Sequence, residues 1–243
     1  MPTAPAEDQR RLLAVQELDT RADQARHRRA SHPTLVAIAE IEQRAQALEN
    51  EAITRSTEVG DIRREVTKAE DDVQSVRARA ERDTARMDSG QGTPKDLQAL
   101  QSELTTLAKR QSDLEDIELE AMERLDAAET ALAAVHAKIG DERAVLGELM
   151  IERNALWAEI DAELDTIAGE RAEAVAGIDT ALVALYEKLR ASHGGIGAAP
   201  LHHGECGGCH VKVDPGSLGE IASSAADTIL RCDDCGRILV REG

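Results

Sequence analysis

The sequence predicts a mostly α protein, a long antiparallel coiled-coil hairpin followed by a small C-terminal module with short β elements. Three observations predict it. The 243 residues include no Phe, one Trp and one Tyr, although 42% are hydrophobic and 31% charged. Two long stretches keep apolar residues in a three-four alternation and are divided by a short Gly-containing segment. All four cysteines fall within the last 38 residues, in two pairs.

A pocket-bearing enzyme of this length normally fills its core with large aromatic side chains. Here Ala, Leu, Val and Ile carry the apolar fraction, diluted by Glu, Arg and Asp, a mixture typical of long or supercoiled helices. No phosphate-binding glycine loop, nucleophile elbow or helical His-Glu-x-x-His motif occurs, so an enzyme is not expected. The net charge of −18, from 29 basic and 47 acidic residues, repels phosphate polymers on average. No apolar run exceeds six residues, so no membrane span is expected. The start, Met1-Pro-Thr-Ala-Pro-Ala-Glu-Asp, lacks a basic region followed by an apolar stretch, and a cytoplasmic location is expected.

Residues 6–30 read as a first helix with Leu12, Leu13, Val15 and Leu18 as its apolar face. His32-Pro33 ends it, because proline disfavours helix in the residue before it and lacks a donor. From Ile38 to Met87, stepping three and four residues alternately, 13 of 15 positions are apolar. From Leu97 to Ile167 the same alternation gives 16 of 21. An average of 3.5 residues per turn keeps one stripe facing a partner helix when the pair supercoils left-handedly.

Between these arms lies a tip near residues 88–94, where Gly90 and Gly92 permit backbone angles that stop a helix. Thr93 offers an N-cap oxygen, Pro94 suits a first turn and Asp96 favours its positive end. So short a connection predicts an antiparallel pair, with Ile38 near Leu146 and matched arms about 80 Å long. Gln111, Glu118, Glu142 and Arg153 interrupt the seam and are read as register markers. Trp157 and Tyr186 are read as packing residues at the helical base, and a last helix spans 178–190. Ser192-His-Gly-Gly-Ile-Gly-Ala-Ala-Pro then signals a linker, placing a hairpin domain at 1–195 and a second domain at 196–243.

The second domain carries the chemistry. Cys206-Gly-Gly-Cys209 and Cys232-Asp-Asp-Cys235 are separated by 22 residues. Two intervening residues let both thiolates of a pair reach one ion, and two such turns supply the four sulfurs of a tetrahedral zinc shell. One structural Zn²⁺ held by Cys206, Cys209, Cys232 and Cys235 is therefore expected, with Val211, Val213, Leu218, Ile221, Ile229 and Leu230 as a small surrounding core. A filled sulfur shell leaves no open position for catalysis. A redox role for Cys206 and Cys209, and ligation by His202, His203 or His210, are the competing readings.

These features resemble a bacterial family with a coiled-coil hairpin and a C-terminal four-cysteine zinc ribbon, and actinobacterial members most closely. The resemblance rests on Thr93-Pro-Lys-Asp-Leu-Gln-Ala-Leu-Gln-Ser-Glu-Leu104, on Cys206-Gly-Gly-Cys-His-Val-Lys-Val213 and on Cys232-Asp-Asp-Cys-Gly-Arg-Ile-Leu-Val240. It implies a regulatory adaptor or a chaperone-like protein. Members of that family include a flagellar regulator that contacts a sigma factor and a flagellin messenger RNA, and a chlamydial protein linked to a sigma factor and secretion components. By resemblance, then, a protein partner in transcription or secretion machinery is expected.

The other reading is an RNA- or DNA-binding regulator that uses Arg21, Arg26, Arg28 and Arg29, or Arg77, Arg79, Arg82 and Arg86, as a phosphate-contacting stripe. Interleaved Asp and Glu favour a solvated helix face instead. From Ala199 onward there are four basic residues against seven acidic and no aromatic, so bases find no stacking platform there. Nucleic acid binding is expected to be weak at most. Monomer and homodimer are both compatible with the pattern.

Overall fold

The computed structural model describes residues 2–241. Helix α1 (Ala6–Ser31) is followed by α2 (Pro33–Asp88), α3 (Pro94–Val175) and α4 (Thr180–Ser192). The C-terminal segment forms β1 (Ala198–His202), β2 (Glu205–Cys206), α5 (Pro215–Ser223), β3 (Leu230–Arg231) and β4 (Ile238–Arg241). The chain divides into two compact units, Met1–Val36 with Ile151–Gly243, and Ala37–Met150.

The unit 37–150 is the coiled coil that the alternation predicts. Every seam position from Ile38 to Met87 and from Leu97 to Leu149 is buried or half-buried. Ala52 packs with Val135 and Ile139, flanked by Leu48 and Leu132, within about one turn of the facing positions expected from the tip. Alanine in the seam keeps the core thin, and ion pairs flank it. Arg44 meets Glu142 at 3.1 and 3.3 Å, Arg63 meets Glu129 at 2.5 Å and Arg143 meets Glu49 at 2.6 Å. The seam residue Glu142 is thus paired with Arg44 on the facing helix.

At the tip, Gly90 and Gly92 have φ of 66° and 149°. The Thr93 backbone N–H and hydroxyl both donate to Asp96 Oδ2, at 2.9 and 2.7 Å, and Asp96 N–H donates back to Thr93 Oγ1. This reciprocal cap satisfies amides that the start of α3 would otherwise leave free. Those hydrogen bonds from Thr93 also hold the Asp96 carboxyl below its ordinary range.

The unit 1–36 with 151–243 has a different core. Leu12 and Val15 of α1, Leu182, Tyr186 and Leu189 of α4, and Ala198, Ile229, Ile238 and Val240 around the sheet form one buried cluster. The sheet order is β2-β1-β4-β3, with β1 and β4 parallel and both outer pairs antiparallel. The N-terminal residues pair with the segment just before β3: Ala4 N–H donates to Asp227 O at 2.8 Å and Ile229 N–H to Pro2 O at 3.0 Å.

Three local expectations change here. Leu13 and Leu18 are only half-buried, while Gln9, Gln16 and Asp19 turn inward on α1. The Ala198–Pro200 end of the expected linker is the start of β1, with Ala198 and Ala199 buried because they sit between paired strands. Val211 is 43% exposed, and Ile229 belongs to the larger core with α1 and α4.

Candidate metal centre

Two short turns present the cysteines. Cys206 ends β2, and its carbonyl accepts from His210 N–H at 2.8 Å while its own N–H donates to Val211 O at 3.1 Å. Cys232 follows β3, and its carbonyl accepts from Gly236 N–H at 2.8 Å while its N–H donates to Arg237 O at 2.9 Å. The turns are built alike. Each places a residue of positive φ after the second cysteine, His210 at 60° and Gly236 at 70°.

The four Sγ atoms lie within 4.8 Å of one another, with Cys206 to Cys235 at 3.9 Å and Cys209 to Cys232 at 3.8 Å. A tetrahedral shell with Zn–S near 2.3 Å spaces its sulfurs by about 3.8 Å. The donor set therefore fits zinc in number, type and spacing. Burial pushes the metal-free Cys232 thiol up to about 12. Burial also acts to raise Cys235, yet hydrogen bonds from the backbone and side chain of Arg237 draw it down to about 7.

The loop glycines matter by close approach. A Cβ at Gly207 would lie 2.9 Å from Pro200 Cγ, and one at Gly208 would lie 2.8 Å from Arg237 Cδ. Around the sulfurs, Ala199, Leu230 and Leu239 are buried, with Leu201, Val213 and Ile221 packed against them. Among the described residues, the three expected alternative histidines are not part of the sulfur cluster. His210 Nδ1 instead lies 3.8 Å from Glu205 Oε1, and the His202 and His203 rings meet edge to face at 4.0 Å.

Beneath the sheet lies a buried polar network that sequence reasoning missed. Gln16 Oε1 accepts from Gly197 N–H at 2.7 Å, and Gln16 Nε2 donates to Gly195 O at 2.9 Å. Asp19 accepts from Tyr186 Oη at 2.7 Å and from Arg171 at 2.7 and 3.2 Å, with Arg190 at 3.5 Å. Arg190 also donates to Asp23 at 2.7 Å, and Arg237 donates to Ile196 O at 3.0 Å and His193 O at 2.8 Å. The segment entering β1 is thus held by side chains of α1 and by the turn after Cys235. Burial pushes the Tyr186 phenol upward, so it stays protonated and donating.

Six of the eight arginines in the two clusters are engaged by carboxylates. Arg21 pairs with Glu170 at 3.0 Å, Arg28 with Glu163 at 2.5 Å and Arg29 with Asp161 at 3.1 Å. Arg26 pairs with Asp23 at 2.9 Å, Arg77 with Glu115 at 2.5 Å, and Arg79 with Glu103. Trp157 packs between two guanidinium groups, with Arg29 Cζ 4.4 Å and Arg153 Cζ 4.8 Å from its ring centre.

Comparison with known proteins agrees with this geometry. The CT398-like coiled coil hairpin domain matches residues 15–194, and the C4-type zinc ribbon domain matches residues 206–239. An uncharacterized protein of Mycobacterium tuberculosis is 33% identical over 233 residues, covering 96% of this chain and 95% of the relative. A solved structure from Mycobacterium smegmatis is 31% identical with a TM-score of 0.87, covering 99% of this chain and all of that one. CT398 from Chlamydia trachomatis shares the fold at 18% identity, with a TM-score of 0.71 and coverage of 97% and 98%. The C4-type ribbon and its clustered cysteines are consistent with one structural zinc. No described helix is long and apolar enough to cross a membrane.

Proposed function

We propose that this chain, which belongs to the CT398-like coiled coil hairpin family, is a non-enzymatic adaptor that binds protein partners through its hairpin and its ribbon. Cys206, Cys209, Cys232 and Cys235 are the ligands of its one zinc. When bound, the metal supplies a crosslink between the two turns, and four thiolates leave it no open position for substrate. The domain division at residue 195 separates the helical reach from the recognition surface carried by the zinc ribbon.

One observation carries the adaptor reading over the nucleic-acid one. Of the eight arginines that would form a phosphate stripe, Arg21, Arg28, Arg29, Arg77 and Arg79 each meet a carboxylate of α3, and Arg26 meets Asp23. A phosphate would have to displace those partners from a chain of net charge −18. No enzymatic family is indicated, and Tyr186, which alone could serve as a phenolic acid, is buried and donates to Asp19.

The test is affinity capture with the full zinc-loaded chain, with and without nuclease. Protein partners retained after nuclease treatment are the expected result. Loss of every partner on nuclease treatment would replace the adaptor with the nucleic-acid regulator.

A further inference from the structure

In the unit 37–150, two ion pairs fix which stretches lie side by side. Arg124 donates to Glu65 at 2.8 Å and Arg77 to Glu115 at 2.5 Å, so residues 65–77 of α2 run against 113–126 of α3. These two stretches carry eleven acidic residues and three basic ones, Lys68, Arg77 and Arg124. The net of −8 is nearly half the charge of the whole chain.

The same belt leaves apolar side chains in water. Ile117 is 52% exposed, Leu119 57% and Met122 47%. Glu115, Leu119, Met122 and Asp126 follow a four-three-four spacing, which places them on one face of α3. That face is outside the seam, whose own positions here are Leu114, Glu118, Ala121 and Leu125. Exposed apolar groups rimmed by charge mark a contact surface when they cluster, whereas scattered ones carry no such meaning. On α2, the exposed Glu70 lies two turns before Arg77, the partner of Glu115, and so on the same flank as that face.

We infer that this belt is a docking surface for a cationic amphipathic helix of a partner protein. The inference rests on the adaptor reading and adds the chemistry of the partner. Charge complementarity selects the occupant: lysines and arginines would meet the carboxylates while an apolar stripe covers Leu119 and Met122. A second copy of the chain would bring a like-charged belt against this one. Nucleic acids and anionic membranes are repelled for the same reason.

The test titrates the full zinc-loaded chain with a labelled lysine–leucine peptide about 20 residues long, its leucines at helical spacing. A scrambled peptide of the same composition is the control. Saturable binding that weakens at least about tenfold in Leu119→Ser/Met122→Ser, but not in Ile53→Ser, is the expected outcome. Ile53 is 67% exposed elsewhere in the same unit, so it controls for loss of any surface apolar group. Equal binding of the scrambled peptide, equal binding by Leu119→Ser/Met122→Ser, or no binding overturns the inference. Nuclease-resistant capture that persists in Leu119→Ser/Met122→Ser would keep the adaptor while removing this surface. Absence of capture by every form would remove the adaptor itself.

Discussion

The phenol of Tyr186 donates to Asp19 Oδ2 at 2.7 Å, joining α4 to α1 across 167 positions of sequence. Both residues are buried, Tyr186 completely and Asp19 to 3% exposure. Arg171 and Arg190 complete the charge balance, and Gln16, one turn earlier on α1, holds the backbone entering β1. This network decides how the zinc ribbon rests on the helices.

Stability should therefore depend on it. Asp19→Ala removes the buried carboxylate that Arg171 and Arg190 share but leaves them Glu187 and Asp23, so the cost stays at or below the low end of the about 3–5 kcal/mol of a buried charge left unpaired. Arg171 and Arg190 retain 29% and 21% side-chain exposure, which places the expected loss at the lower end. Tyr186→Phe removes one hydrogen bond to a charged group, about 1.5–3 kcal/mol. Denaturant titration followed at the ribbon resonances should rank Asp19→Ala below Tyr186→Phe and both below wild type. An unchanged midpoint in Asp19→Ala would show the network to be dispensable.

The same carboxylate sets an acid limit. Burial by itself raises the Asp19 carboxyl, but hydrogen bonds from Arg171 and Tyr186 and the charges of Arg171 and Arg190 outweigh it and hold the group low. A depressed folded value contributes stability that is fully present above the unfolded value, about 3.9, and is lost as pH falls through the lower folded one. Between neutrality and about pH 5 this residue should leave stability flat. Below about pH 4 the wild type should lose stability more steeply than Asp19→Asn. Parallel acid profiles for the two proteins would refute this.

How far the sequence foretold these features depends on the range of the interactions involved. The seam from Leu97 to Ile167 was readable because a heptad pattern is local and repeats, and every one of those positions is buried or half-buried. The paired cysteines were readable because their spacing is dictated by the metal. Gln16 and Asp19 were not. They sit on a helix whose Leu12 and Val15 signalled the inward face, but their partners lie at Gly197, Arg171 and Tyr186, more than 150 positions away. A buried polar residue resembles a surface one until its partner is known. The same holds for the N-terminal residues, whose pairing with 227–229 leaves no trace in composition.

The two cysteine turns make a matched comparison. Gly236 sits at φ 70°, and an L side chain there costs about 1–2 kcal/mol. Gly236→Ala should lower the melting temperature of the zinc-loaded chain and ease loss of metal to a chelator. His210 already bears a side chain at φ 60°, so His210→Gly relieves strain while adding unfolded-state entropy. Its expected effect is within about 1 kcal/mol of zero, with zinc retained. Loss of zinc in His210→Gly would instead make His210 a ligand.

Metal removal gives the next test. Cys206 and Cys232 are buried among Ala199, Leu230 and Leu239, a small cluster to which the crosslink would add folding free energy. Elemental analysis should find one zinc per chain, and Cys232→Ser should release it. Hydrogen exchange should then lose protection across the two cysteine turns, 205–211 and 232–236, while the seam of residues 37–150 keeps its protection because its core contains no metal ligand. Full protection of those turns in the metal-free chain would remove zinc from the folding argument.

The final prediction concerns RNA. Arg28 and Arg29 already meet Glu163 and Asp161, and Arg26 meets Asp23, at exposed positions where an ion pair is worth under about 1 kcal/mol. Such pairs are individually weak, so phosphate could compete for one arginine. It would then free a carboxylate beside itself, and the neighbouring repulsion would cancel most of the gain. Phosphate contacts of this kind release counterions and fade as salt rises. Titration of the full zinc-loaded chain with labelled RNA should give detectable binding only at low ionic strength. Replacing Arg26, Arg28 and Arg29 with Ala should abolish that residue of binding. Saturable, sequence-selective binding near physiological salt at sub-micromolar concentration would contradict this expectation. It would require that the observed ion pairs open to admit the ligand.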